Sequence, residues 1–156
     1  MRFRFIWIGK TKDQLLSQME ARYVERLRKF VPTDRITVPE LKKTDRHQQA
    51  IVSEREAQLI ERKLSLKSYL MVLDEEGWQC TSSKLASFLE ELISRRTLEV
   101  SFLVGGHLGI PQRIKRLASL KFSLSQLTLP HELARVVLLE QVYRSVTIIK
   151  GLPYHK

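Results

Sequence analysis

The chain has 156 residues, 43% of them hydrophobic, enough for one buried core, so residues 1–156 are expected to form a single domain and a second one is disfavoured. Its single cysteine, Cys80, excludes an intrachain disulfide and leaves no Cys/His cluster for zinc; no metal is expected, and a reducing compartment fits. A net charge of +10, with 27 basic against 17 acidic side chains, favours a polyanionic partner such as nucleic acid over an acidic small substrate, with a merely soluble basic protein as the competing reading.

The opening, Met1-Arg2-Phe3-Arg4-Phe5-Ile6, alternates like a strand and unlike a signal-peptide core. No apolar run approaches the roughly 20 residues that span a bilayer. A cytoplasmic protein with no membrane partner is therefore expected. Residues 2 to 8 predict a first strand ended by Gly9. From Lys12 to Phe30, Leu15, Leu16, Met19, Tyr23, Leu27 and Phe30 recur at helical steps, and Pro32 closes that helix. Arg35 to Val38 predicts a short strand stopped by Pro39. Lys42 to Gln49 reads as an exposed loop leading into a helix that runs to about Lys63. This half holds most of the charge excess, 16 basic against 9 acidic side chains in residues 1–70.

Tyr69 to Leu73 and Val100 to Val104 are short, nearly continuous apolar runs of the kind found in strands covered on both faces. Between them Thr81-Ser82-Ser83 offers N-cap hydroxyls to a helix with Leu85, Phe88, Leu89 and Ile93 on one face. A short helix near Pro111 to Leu120, a strand around Phe122 to Leu124 and a last helix from about Pro130 to Ile149 follow. The alternation predicts an α/β fold with a mainly parallel sheet flanked by helices. The last helix is apolar on more than one face, which calls for burial against something besides its own sheet and favours a subunit interface.

Two strand exits stand out, because ligands of open parallel sheets sit beyond the carboxyl ends of strands. Gly105, Gly106 and Gly109 match neither a dinucleotide fingerprint nor a P-loop. They suit a tight turn or a close approach of backbone to a flat ligand. The run Leu124-Ser125-Gln126-Leu127-Thr128-Leu129 mixes apolar walls with polar groups, as an adenosine-type ligand requires, or else is a strand whose apolar residues are core. Asp74-Glu75-Glu76 reads as a solvated loop in preference to an acid/base pair. Arg113, Lys115 and Arg116 read equally as a phosphate-holding cluster or an exposed helix face. Arg135 and Arg144 each read as a salt bridge or a functional group, and His131, in a first helical turn, reads as neutral.

Together, Leu73 at a strand end, Val104-Gly105-Gly106 with Gly109, Leu124 to His131, Arg135 to Arg144 with Glu140-Gln141-Val142-Tyr143, and the terminal Tyr154-His155-Lys156 resemble one family over nearly the whole chain. This is the bacterial large-subunit (23S) ribosomal RNA pseudouridine N3-methyltransferase family, methyltransferase H. The resemblance implies a SPOUT-type α/β fold with a C-terminal trefoil knot, a homodimer, S-adenosyl-L-methionine as cofactor, and methyl transfer to ribosomal RNA on assembled or nearly assembled ribosomes. It places cofactor contacts on Leu73, Gly105, Leu124, Ser125, Gln126, Leu127, Thr128 and Leu129. On the catalytic side it implicates Arg144, Tyr154 and His155, near the active site with the partner subunit contributing. Members usually carry a small residue or proline where His107 stands. A non-catalytic basic RNA-binding or ribosome-assembly protein and a related knotted transfer-RNA methyltransferase are the alternatives.

Overall fold

The computed structural model describes residues 1–41, 49–65 and 67–154. The loop expected at Lys42 to Gln49 thus lies, Gln49 apart, outside the described residues. The elements run β1 (Arg2–Ile8), α1 (Gln14–Arg28), β2 (Thr33–Val38), α2 (Gln49–Glu61), β3 (Ser68–Trp78), α3 (Ser82–Ser94), β4 (Glu99–Val104), α4 (Gln112–Leu117), β5 (Leu120–Phe122) and α5 (His131–Ile149). The five strands form one parallel sheet in the order β2-β1-β4-β3-β5.

Period-two alternation along the strands sorts their side chains onto two cores. Phe3, Phe5, Trp7, Met71, Phe102 and Val104 face a layer that includes Val24 and Leu27 of α1, Leu85 and Leu89 of α3, and Leu138 and Val142 of α5. Ile6, Ile8, Leu70, Val72 and Leu103 face Ala57 and Ile60 of α2 and Ile114 of α4. Helices thus cover both faces, so β4 in the centre is buried at every residue. Phe5 stacks on Phe102 at 4.9 Å between centroids and Phe3 meets the same ring edge-on at 5.8 Å.

Helix ends follow from local chemistry. Asp13 caps α1 by accepting from the Leu16 amide, and Thr81 caps α3 by accepting from the Lys84 amide. Pro130 precedes α5, where a missing N–H costs nothing, and its carbonyl accepts from Ala134.

Three expectations are corrected. The last strand is Leu120–Phe122, so Leu124 belongs to the following loop. Ile93 is exposed, and Leu92 turns inward instead. The apolar faces of α5 are met largely within the chain, because α5 packs between α1 and α3, so its composition alone does not require a second subunit.

Phe102→Ala empties the most crowded point of the core and should lower the free energy of unfolding by about 3–5 kcal/mol. Urea denaturation measures this; a loss below about 1 kcal/mol would contradict the packing described.

Candidate cofactor site

The sheet order creates a switch point. From β3 the chain passes to β4 through α3 on one face; from β4 it returns through α4 on the other face and crosses β3 to reach β5. β3 and β4 pair as far as Val72 and Leu103 and then part, at the kind of place where open α/β sheets hold ligands. A cleft of ≈ 400 Å³ opens there, within the range of small-molecule sites. Leu73, Gly105, Leu124, Ser125, Leu127, Thr128 and Leu129 line it; Gln126 alone of the expected cofactor residues does not.

One wall is the turn after β4. A Cβ on Gly105 would lie 2.7 Å from the Gly109 carbonyl carbon, and Gly109 itself has φ +77°. The first glycine therefore serves the closure of the loop on itself, sealed by the Gly109 amide donating to the Gly106 carbonyl at 3.0 Å. At Gly106 a Cβ would meet Glu40 Oε1 at 2.1 Å. This oxygen accepts from the His107 amide at 3.1 Å and stands 2.6 Å from His107 Nδ1. Burial alone would push the Glu40 carboxyl up, but the His107 ring and backbone bonds outweigh it and hold it below the ordinary glutamate value.

The opposite wall is the loop from Ser123 to Pro130. The Ser123 amide donates to the Trp78 carbonyl, its hydroxyl accepts from Gln79 Nε2 and donates to the Ser125 carbonyl, and Ser125 Oγ accepts from the Leu127 amide. These bonds hold apolar side chains toward the cleft without a regular element. Leu127, at the mouth, is 76% exposed.

Asp74 was expected in a solvated loop. Instead its side chain is 5% exposed and pairs with Lys115 Nζ at 2.9 Å, and both line the cleft. Burial raises the Asp74 carboxyl, but Lys115 and the Glu76 amide more than offset this, and the net direction is down. Glu75 and Glu76 are exposed, as expected, but they continue β3 and do not form a loop. Of the basic cluster read equally as phosphate-holding or as an exposed helix face, Arg113 is paired with Glu54 and Glu61 and Lys115 with Asp74. Among the described residues no group of three or more His, Cys, Asp or Glu could hold a metal.

The amino end of α5 closes the site. His131 and Ala134 line the cleft; burial first, then Arg135, push the His131 imidazole below its ordinary value. Arg135, expected as a salt bridge or a functional group, is fully buried. It donates to the Ile8 carbonyl at 2.6 Å and to Thr11 Oγ1 at 2.9 Å, while Glu132 accepts from the amides of Lys12 and Asp13.

The expected catalytic group lies elsewhere. Arg144 donates to Glu140 through Nε and Nη2, stacks over the Tyr154 ring at 4.9 Å, and Tyr154 donates to the same Glu140 oxygen at 3.3 Å. Burial, then Tyr23 and Glu140, push the Tyr154 phenol well above its ordinary value. From His131 to Arg144 the helix rises roughly 20 Å, so within one chain this cluster does not face the cleft. His155 lies outside the described residues.

Fold and cleft define an α/β protein with a ligand-sized opening at its strand ends, and the chain belongs to the SPOUT methyltransferase family. The family model described as "Predicted SPOUT methyltransferase" matches residues 1–155. Among its relatives, the "Ribosomal RNA large subunit methyltransferase H" of Streptococcus suis (strain 05ZYH33) is 35% identical over 159 residues, 100% of both chains. The protein of that name from Geobacter sp. (strain M21) is 36% identical over 155 residues, 99% of each. A crystal structure of a probable methyltransferase from Bordetella pertussis Tohama I shares the fold, with a TM-score of 0.57 at 12% identity over 93% of this chain and 96% of that one.

The Asp74–Lys115 pair generates a pH prediction. A carboxyl held below its unfolded value contributes stability that is complete above that value and is lost as pH falls through the folded one. Lys115→Met should therefore destabilise most near neutral pH, with the difference from wild type shrinking below the ordinary aspartate value of 3.8. Urea midpoints measured between pH 7 and pH 3 test this; a pH-independent difference would contradict it.

Proposed function

We propose that the chain is an S-adenosylmethionine-dependent methyltransferase acting on N3 of a pseudouridine in large-subunit ribosomal RNA, on assembled or nearly assembled ribosomes in the cytoplasm. The observation that carries this reading is the convergence of Leu73, Gly105 and the 124–129 loop on one cleft at the switch point, in a chain whose relatives bear the names given above. The cleft fits the cofactor. Leucine walls and backbone polar groups suit an adenosine. The net charge of +10 suits an RNA partner.

Bound there, the cofactor would supply an electrophilic sulfonium methyl for transfer to N3, whose imide proton must leave. Positioning and stabilisation of the base anion are what the protein can add. Arg144, held by Glu140, presents fixed donors suited to that anion, and His155 is the proposed proton acceptor near neutral pH, with Tyr154 ordering the tail.

The distance along α5 gives this reading its quaternary form. Arg144 and Tyr154 serve a cleft only if a second subunit supplies them, so the active unit is proposed to be a homodimer with composite sites. Leu15 and Met19 of α1 and Leu133 of α5 are exposed apolar side chains on helices that pack together, available for such an interface. The trefoil knot is proposed as part of the same fold.

Calorimetry with S-adenosylhomocysteine and methyl transfer to ribosomes lacking the modification test the reading together. Gly105→Arg, whose side chain starts inside the closed turn, should abolish cofactor binding and preserve the dimer. Arg144→Ala should bind cofactor normally and transfer poorly. Mixed after partial unfolding and reassembly, these two inactive variants should regain activity, because each heterodimer holds one intact composite site. Absence of recovery in verified heterodimers would refute the shared site, and an intact protein that binds no S-adenosylhomocysteine would refute the enzyme.

A further inference from the structure

Glu40 stands two residues beyond β2, yet its carboxylate ends under the turn that follows β4, having passed the exit of β1 that lies between them. Its path is kept open by two glycines. At Gly9, with φ +81°, a Cβ would lie 3.3 Å from Glu40 Cβ and 3.0 Å from Oε2; at Gly106 it would lie 2.1 Å from Oε1. At Gly106, read from the sequence as suited to a ligand, that space is occupied by a side chain of the same protein.

The oxygen that fills the Gly106 space holds His107 twice, by its amide and by its ring. One carboxylate, itself outside the cleft, therefore fixes a turn that lines the cleft from Val104 to His107 and again at Gly109. The bonds reach a loop residue 67 positions away in sequence, so they tie the β2 exit to the β4 exit across β1. Glu40 itself lines no part of the cleft, which makes contact with a bound cofactor unnecessary for its effect. It also gives His107 a role: a ring at this position adds a second hold on a turn that is otherwise free to flex at its glycines.

We propose that Glu40 is a positioning residue for the cofactor loop, clamping the 105–109 turn through His107 so that its backbone is set for ligand before ligand arrives. Its effect on catalysis rests on the cleft being the cofactor site. The clamp itself does not.

Two measurements separate those levels. In the cofactor-free protein, hydrogen–deuterium exchange of the 105–109 amides should accelerate by about 10-fold or more in Glu40→Ala, reflecting the lost bonds to a charged acceptor. Exchange in β1 and β4 should stay unchanged. Glu40→Gln keeps an acceptor oxygen and should restore most of the protection. His107→Ala keeps the backbone bond and should fall between, and it serves as the second variant if Glu40→Ala does not fold. In steady-state assays Glu40→Ala should raise KM for S-adenosylmethionine about 10-fold and leave kcat at saturation within about two-fold. Unchanged exchange at 105–109 in the folded variants would overturn the clamp. Faster exchange with unchanged KM would overturn its role in cofactor binding, and a wild-type protein without affinity for S-adenosylhomocysteine would overturn the cofactor reading while the exchange result still decides the clamp.

Discussion

The placement of α5 depends on one buried guanidinium. Arg135 sits with no solvent exposure over the Trp7 ring, at 5.8 Å, and bonds the Ile8 carbonyl at the end of β1. A charge so buried is tolerated only when it is bonded and balanced. The balance arrives by relay: Arg135 donates to Thr11, Thr11 donates to Glu20 at 2.5 Å, and Glu20 also accepts from Trp7 and Arg35. Four elements, β1, β2, α1 and α5, are therefore tied at one point. Because α5 begins there, the preceding loop must run from β5 back over the strand ends, and its leucines become a wall of the cleft.

The same clamp separates the two halves of the proposed chemistry. It fixes the amino end of α5 beside the cleft and sends the carboxyl end, with Glu140, Arg144 and Tyr154, away from it. The intrahelical pair that holds Arg144 also raises its affinity for its proton, chiefly through the hydrogen bond to Glu140, so the guanidinium is a permanent cation. A cation remote from its own cleft is placed to act there only in the proposed composite site, from a second subunit. In the proposed dimer each subunit would bind cofactor at one end of α5 and serve a target base at the other.

Sequence patterning carried the sheet well. The alternation of Phe3, Phe5 and Trp7 marks the side chains of one core, and the unbroken Val100 to Val104 run reflects burial on both faces, which periodicity reports directly. Gly105 and the 124–129 run were legible as strand exits, whereas Leu73, read as a strand end, lies within β3, which runs on past a register shift to Trp78; the family resemblance assigned all three to one ligand. What the pattern did not carry were polar contacts between residues far apart in the chain. Glu40 bonds a residue 67 positions on, and Arg135 one 127 positions back; no local period marks such partners. Asp74 looked solvated because Glu75 and Glu76 beside it are, and only the fold brings Lys115 over it. The period-two pattern of Leu120, Phe122 and Leu124 also outlasts the strand, since Ser123 turns its hydroxyl onto the Ser125 carbonyl and ends the ladder.

The central claim is that the crevice between β3 and β4 holds S-adenosylmethionine. A crystal structure of the protein grown with S-adenosylhomocysteine tests it most directly. The account predicts ligand density between the Gly105 turn and the 124–129 loop, against Leu73, with the Glu40–His107 contact retained. Density seated elsewhere on the molecule, or an empty crevice in crystals of protein shown to bind the ligand, would contradict it.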